Sequence, residues 1–283
     1  MIILDGKKVA LQKRKELKLQ IEEQIKHRHR KPKLVVILVG DNPSSLVYVE
    51  HKMKTAQKVG IESKTLHFPE NIAHDELYKQ INYLNKDDNV DGILLQLPLP
   101  ARFVEEEYLQ AIVPEKDVDG FHYKNQGRML QNYNATYPCT PLGVINLLKA
   151  YEINLKGKNA VVVGTSNIVG KPLGIMLLNA GATVTFCNQD TQDIKLHTSQ
   201  ADLLISATGQ KFIITKDMVK SNAIVVDIGI IRDLENNKLV GDVDYQNVAP
   251  MTSYITPVPG GVGPMTVISL MENTFKLYLE HQK

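Results

Sequence analysis

Ala160-Val161-Val162-Val163-Gly164-Thr165-Ser166-Asn167-Ile168-Val169-Gly170-Lys171-Pro172 joins four apolar, mostly β-branched residues to a glycine-bearing turn. A helical pattern follows at once. A strand–turn–helix of this kind lets a phosphate reach backbone N–H groups at the positive end of a helix. The usual dinucleotide fingerprint has glycine at its first, third and sixth positions. Here those positions are Gly164, Ser166 and Val169, with Gly170 one later. The match is partial, and the same spacing also serves a merely structural turn. A second apolar strand over Ala182 to Cys187 tips the balance toward nucleotide binding.

The residues after that second strand meet the ribose in such folds. An acid there bonds the 2′-hydroxyl of NAD, and a base meets the 2′-phosphate of NADP. This chain has Cys187-Asn188-Gln189-Asp190, with no base. Asp190 either reaches the ribose or caps the next helix, and Lys171 is an alternative source of positive charge.

Outward from this stretch, strand-like and helix-like segments alternate. Before it stand an amphipathic helix (7–28), a continuous apolar strand (34–39), a helix from about 44 to 59 and a strand (61–68). A helix (75–84), a strand (90–97) and a helix (104–112) continue the series. Ser44 or Ser45 is expected to cap the second helix. After it come strands at 202–206 and 223–228 and a terminal helix over about 265–279. Alternation of this type predicts parallel sheets covered by helices. The fold class is α/β: two α/β domains flanking a cleft, the second a Rossmann-like dinucleotide-binding domain. The boundary falls near 140, giving a domain over 1–140 completed by the terminal helix 265–283, and a nucleotide-binding domain over 141–264. Residues 117–138 are polar, rich in Gly and Asn, and expected to be loops.

Composition narrows the function. The chain has 283 residues, 43% hydrophobic and 23% charged, with a net charge of +2. That balance gives no strong attraction to nucleic acid or membrane. No apolar run reaches the roughly 18 residues of a bilayer span. Met1-Ile2-Ile3-Leu4 runs straight into charge at Asp5, unlike a secretory leader. Cys139 and Cys187 have neither metal nor redox spacing, which suits a reducing cytoplasm.

Four constellations are able to carry chemistry. Tyr48 and Lys52 stand four apart, on one helix face. By spacing alone they are more often a surface pair than a phenol and amine at work. Gln96 is the polar residue ending the run Gly92-Ile93-Leu94-Leu95, before Leu97-Pro98-Leu99-Pro100. It either serves a ligand at the carboxyl end of a strand or satisfies the backbone near those prolines. Asp117 and Asp119, in Lys116-Asp117-Val118-Asp119-Gly120, are weak metal evidence without a third ligand. Asp119 is equally suited to an N–H-rich heterocycle. Finally, Thr256-Pro257-Val258-Pro259-Gly260-Gly261-Val262-Gly263-Pro264-Met265-Thr266 is stiff and almost bare of side chains. Such a run holds backbone against something flat or tightly packed.

In order along the chain, Tyr48-x-x-x-Lys52, Gln96-Leu97-Pro98-Leu99-Pro100, Pro114 to Gly120, Pro138-Cys139-Thr140-Pro141, Gly164 to Pro172, Gly241-Asp242-Val243-Asp244 and Pro259 to Thr266 resemble the bifunctional methylenetetrahydrofolate dehydrogenase/cyclohydrolase family. The resemblance implies oxidation of methylenetetrahydrofolate with NADP, or alternatively NAD, followed by hydrolysis of the methenyl product to 10-formyltetrahydrofolate. It implies a catalytic Lys52, placed by Gln96 and Tyr48, and no metal. Asp119 would hold the pterin edge, and Pro257, Pro259, Gly260, Gly261 and Val262 would line the folate cleft. Gly164, Thr165, Ser166 and Ile230 would contact the nucleotide. A cytoplasmic homodimer is also implied. Many relatives carry Arg where Thr165 stands, or a base after the second strand; this chain has neither of these charges that favour NADP. A folate- or nucleotide-binding protein without turnover is the alternative.

Overall fold

The structure, a computed structural model, describes residues 1–28, 30–233 and 237–281. Gln282 and Lys283, counted with the terminal helix above, lie outside the described residues. The elements in chain order begin with β1 (Ile2–Ile3), α1 (Gly6–Arg28), β2 (Lys33–Val39), α2 (Pro43–Val59) and β3 (Glu62–Phe68). Next come α3 (His74–Lys86), β4 (Gly92–Leu95), α4 (Glu105–Ala111), α5 (Tyr123–Leu130) and α6 (Cys139–Ala150). Then follow β5 (Asn159–Val163), α7 (Gly170–Asn179), β6 (Thr183–Cys187), α8 (Ile194–Thr198), β7 (Leu203–Ser206) and β8 (Ile224–Asp227). The series closes with β9 (Ile231–Asp233), β10 (Lys238–Val240), α9 (Tyr245–Val248), β11 (Tyr254–Ile255) and α10 (Val262–His281). Two compact units result: Gln12–Cys139 with Val267–Lys283, and Met1–Leu11 with Thr140–Thr266.

The first unit holds a parallel sheet of order β3-β2-β4. β2 is central, and Leu34 to Val39 are all buried, as a strand covered on both faces requires. Val35, Ile37, Ile93 and Leu95 pack on Leu77, Ile81 and Tyr108. Helix α2 starts differently from expectation. The Asn42 side chain, not a serine, accepts from the Ser44 and Ser45 amides, and Pro43 takes the first helical position. Proline has no N–H to satisfy there. Gly60, at φ +91°, closes the helix in the left-handed conformation. The expected loop 117–138 contains a helix, α5, that the Asn/Gln/Gly content of Lys124-Asn125-Gln126-Gly127 hides. His122 caps it, its Nδ1 accepting from the Lys124 amide at 3.0 Å.

The second unit is a six-stranded, all-parallel sheet of order β1-β11-β8-β7-β5-β6. After β5 the chain steps outward to β6, then returns to the other side of β5 as β7. Ligands of open α/β sheets bind at the carboxyl ends of strands where the order reverses. That point lies between β5, which runs into Gly164, and β7, which runs into Ala207. β9 and β10 form an antiparallel pair that the sequence reading missed, as it missed the two-residue strands β1 and β11.

Candidate functional site

In the first unit, α2 presents Tyr48 and Lys52, and Gln96 directly follows β4. Lys52 Nζ donates to Gln96 Oε1 at 2.8 Å, and Gln96 Nε2 donates to the Leu97 carbonyl at 2.6 Å. The backbone role expected for Gln96 is filled, and its oxygen has a second partner in Lys52. Its amide is held by backbone, and its oxygen points at the lysine. The Leu97–Pro98 peptide is cis. Lys52 is half-buried, and its hydrogen-bond partner is Gln96 rather than Tyr48. Tyr48 lies partly exposed on the same helix, and burial of its hydroxyl end raises its pKa. By contrast Lys54 pairs with Glu50 on the exposed side.

Asp119 belongs to this group. Burial lifts its carboxyl to about 6, opposed by the Lys52 charge and reinforced by Asp117. The buried Cys139 thiol lies beside it, donating to the Val118 carbonyl at 3.3 Å. Asn273 of α10, 3% exposed, donates to the carbonyls of Val118 and Tyr137 at 2.8 and 2.9 Å. Those bonds fix the backbone on both sides of the Asp119 turn. Asp117 fixes it from within, since Oδ2 accepts from the His122 amide and Asn125 Nδ2, both at 2.9 Å. Gly120 sits at φ +69°, and a Cβ there would lie 2.6 Å from the Thr136 carbonyl oxygen, so only glycine fits. Sequence reasoning missed Asn273 and read Asp117 only as weak metal evidence, not as a brace for the turn. The signal for Asn273 was a lone amide among the apolar residues of the terminal helix. Among the described residues no group of three or more His, Cys, Asp or Glu is placed to hold a metal.

In the second unit, the Gly164 turn has the shape a phosphate needs. Gly164, at φ +98°, has no room for a side chain, because a Cβ would lie 2.3 Å from the Ala207 carbonyl oxygen. A Cβ on Gly170 would lie 1.9 Å from the Gly164 carbonyl oxygen. Ser166 Oγ accepts from the Val169 amide at 3.2 Å, which ties the turn together directly before α7. The cradle, the helix end and the reversal of strand order together fit a dinucleotide. Asp190 does not cap the next helix. Asp193 does, accepting from the Leu196 amide at 3.2 Å. Asp190 instead lies in a closed turn in which Asn188 Oδ1 accepts from its amide at 3.0 Å. Lys171 Nζ donates to Asn167 at 2.8 Å.

Pro257, Val258, Pro259 and Gly260 form the turn before α10, and the Val258–Pro259 peptide is cis. The helix begins at Val262, within the run rather than after it. Gly260 adopts φ +109°, and its carbonyl accepts from the Lys7 amide at 2.9 Å. Ile230, 43% exposed, reaches the same run: its Cδ1 is 3.6 Å from where a Cβ on Gly263 would stand.

The family model "Tetrahydrofolate dehydrogenase/cyclohydrolase, catalytic domain" matches residues 4–119, and its companion "NAD(P)-binding domain" matches residues 138–282. The chain belongs to the tetrahydrofolate dehydrogenase/cyclohydrolase family. It is 63% identical over 281 residues to the bifunctional protein FolD of Mesoplasma florum, covering 99% of this chain and 98% of the relative. The crystal structure of the bifunctional enzyme FolD from Campylobacter jejuni superposes with a TM-score of 0.97 at 51% identity, over 99% of each chain. That from Trypanosoma brucei, complexed with NADP cofactor and an inhibitor, gives 0.95 at 32% identity, over 100% of this chain and 99% of the other. The α/β fold with a Rossmann-like sheet is thereby that of the family.

Proposed function

We propose that this chain oxidises 5,10-methylenetetrahydrofolate with NADP and hydrolyses the methenyl product to 10-formyltetrahydrofolate, with Lys52 serving the second step. The observation that carries the reading is the Lys52–Gln96 hydrogen bond at the end of β4. A protein that only binds folate has no use for an amine held in this way.

NADP, when bound, supplies the hydride acceptor. Gly164, Thr165 and Ser166 with the start of α7 receive its phosphates, and Ile230 offers an apolar contact. Asp119 accepts hydrogen bonds from the N–H-rich edge of the pterin. Pro257, Pro259, Gly260, Gly261 and Val262 supply a stiff, side-chain-poor wall for the folate. The hydride step asks for positioning, because the folate nitrogen itself drives it. Hydrolysis asks for proton handling: water adds to the methenyl carbon, and a ring nitrogen must be protonated as the C–N bond breaks. Lys52 is the group placed for this, with Gln96 fixing its position and Tyr48 shaping the surface beside it. The folate domain, expected over 1–140 with the terminal helix, is taken as the first unit, and the nucleotide domain, expected over 141–264, as the second, which also takes residues 1–11 because β1 pairs with β11.

Turnover of methylenetetrahydrofolate with NADP tests the proposal. Reduction of NADP coupled to methenyl and then formyl product is expected, and failure to reduce NADP at saturating folate rejects it. The turn after β6 carries no base for the 2′-phosphate. Gln189→Arg is therefore expected to raise the NADP-over-NAD ratio of kcat/KM about tenfold or more, the worth of one charge-assisted bond. An unchanged ratio would place the 2′-phosphate elsewhere. The family resemblance also supports a cytoplasmic homodimer; sedimentation at the mass of one chain would reject the dimer.

A further inference from the structure

Two buried carboxylates in the nucleotide-binding unit take no part in the chemistry above, yet they hold the loops on which it depends. Asp227 ends β8 and is 3% exposed; Asp242, two residues after β10, is fully buried. They interlock through each other's glycines. A Cβ on Gly229 would stand 2.0 Å from Asp242 Oδ1, and one on Gly241 would stand 1.9 Å from Asp227 Oδ2. Asp227 Oδ1 accepts from the Gly229 and Asp242 amides, both at 3.0 Å, and Oδ2 from the Val243 amide at 2.9 Å. Asp242 Oδ2 accepts from Ser206 Oγ at 2.8 Å, the Thr208 amide at 2.7 Å and Thr208 Oγ1 at 2.9 Å. Its Oδ1 has no donor among the described residues. The Asp227 amide in turn donates to Thr256 Oγ1 at 2.7 Å, directly before the proline–glycine run.

The pair thus joins three segments: the end of β7 at 206–208, the end of β8 at 227–230, and Thr256. The first two lie at the carboxyl ends of neighbouring strands, where a nucleotide meets a parallel sheet. Burial, reinforced by the charge of Asp242 and opposed by three amides, lifts the Asp227 carboxyl to about 7. Two acids so close and so deep are costly to keep, and a buried acceptor left without a donor adds to that cost. Simple packing would be better served by an apolar or amide side chain at position 242.

We propose that Asp242 is a positioning residue for hydride transfer: through Thr208 and the Gly229 backbone it sets the loops that receive the nucleotide, and it is not needed for hydrolysis. The proposal rests on the dehydrogenase/cyclohydrolase reading. The two activities then separate its effect from a general loss of folding. Asp242→Ala removes the acceptor for three donors. Its dehydrogenase kcat/KM for NADP is expected to fall about tenfold or more, with KM raised. Hydrolysis of methenyltetrahydrofolate should stay within about twofold. Asp242→Asn keeps an acceptor for Ser206 and Thr208 and removes one of the two charges. It is expected to restore most of the dehydrogenase activity and to melt at a higher temperature than the alanine variant. Thr208→Val deletes one bond with little change of shape and should raise KM for NADP alone. Equal loss of both activities in Asp242→Ala and Thr208→Val overturns the proposal, as does unchanged dehydrogenase activity in both. A wild-type chain that never reduces NADP rejects the underlying reading instead.

Discussion

Asp119→Ala weakens folate binding by about 1.5–3 kcal/mol, or roughly ten- to a hundredfold, the range for hydrogen bonds to a charged group. Titration of the variant with folate in the absence of nucleotide measures it. The Asp119 carboxylate sits in a restrained turn. It is half-buried, aimed from a turn held by Asp117, Gly120 and Asn273, and ionises at about 6 because burial disfavours its charge. A carboxylate accepts from N–H donors only when ionised. Wild-type folate affinity should therefore fall as pH drops through about 6, and the alanine variant should show no such step. The sign for stability is the reverse. The folded-state pKa lies above that of an exposed Asp, so the folded chain holds a proton that the unfolded chain has lost. Ionisation of Asp119 thus lowers stability as pH rises from about 4 to 6. Asp119→Ala should unfold at an unchanged or higher temperature at pH 7 while binding folate poorly. A variant that binds folate at wild-type strength ends the assignment of Asp119 to the pterin.

Lys52→Met removes hydrolysis of methenyltetrahydrofolate, by about a hundredfold to ten-thousandfold, the range for a positioned acid–base group. Methionine retains the length and apolar stem of lysine, and the lost contact is the 2.8 Å bond to Gln96. Gln96 Oε1 faces half-open surface, so water replaces the missing donor and the fold survives. Nucleotide binding should be unchanged, because every residue assigned to it lies in the other unit. Direct assay of methenyl decay, beside a nucleotide titration, checks both halves. Wild-type decay in the variant would take Lys52 out of the mechanism.

Much of this was legible in the sequence, for physical reasons that differ by element. The apolar run before Gly164 and the glycines that follow announce a parallel strand and a close backbone approach. The structure has both, down to the missing Cβ at Gly164. β1 and β11 are two residues each and show no alternation, so nothing local marks them. α5 is hidden by poor helix formers and is held by His122 and by packing. Lys52 is the instructive case. Helical spacing made it a surface pair with Tyr48, and its partner proved to lie 44 residues on, at Gln96. Family resemblance, not periodicity, singled it out. Asp242 stood in a matched motif, but its work depends on contacts with residues 36 and 34 positions earlier, Ser206 and Thr208, which no local pattern reveals.

The central claim is that hydride transfer and hydrolysis run on one chain but on different residues. The most direct measurement follows NADPH and the methenyl compound together, from methylenetetrahydrofolate and NADP, in the wild-type and Lys52→Met enzymes. The account predicts NADPH from both, with the methenyl compound passing on to formyl product in the wild type and accumulating in step with NADPH in the variant. Loss of NADPH formation in the variant, or disappearance of its methenyl product at the wild-type rate, would contradict it.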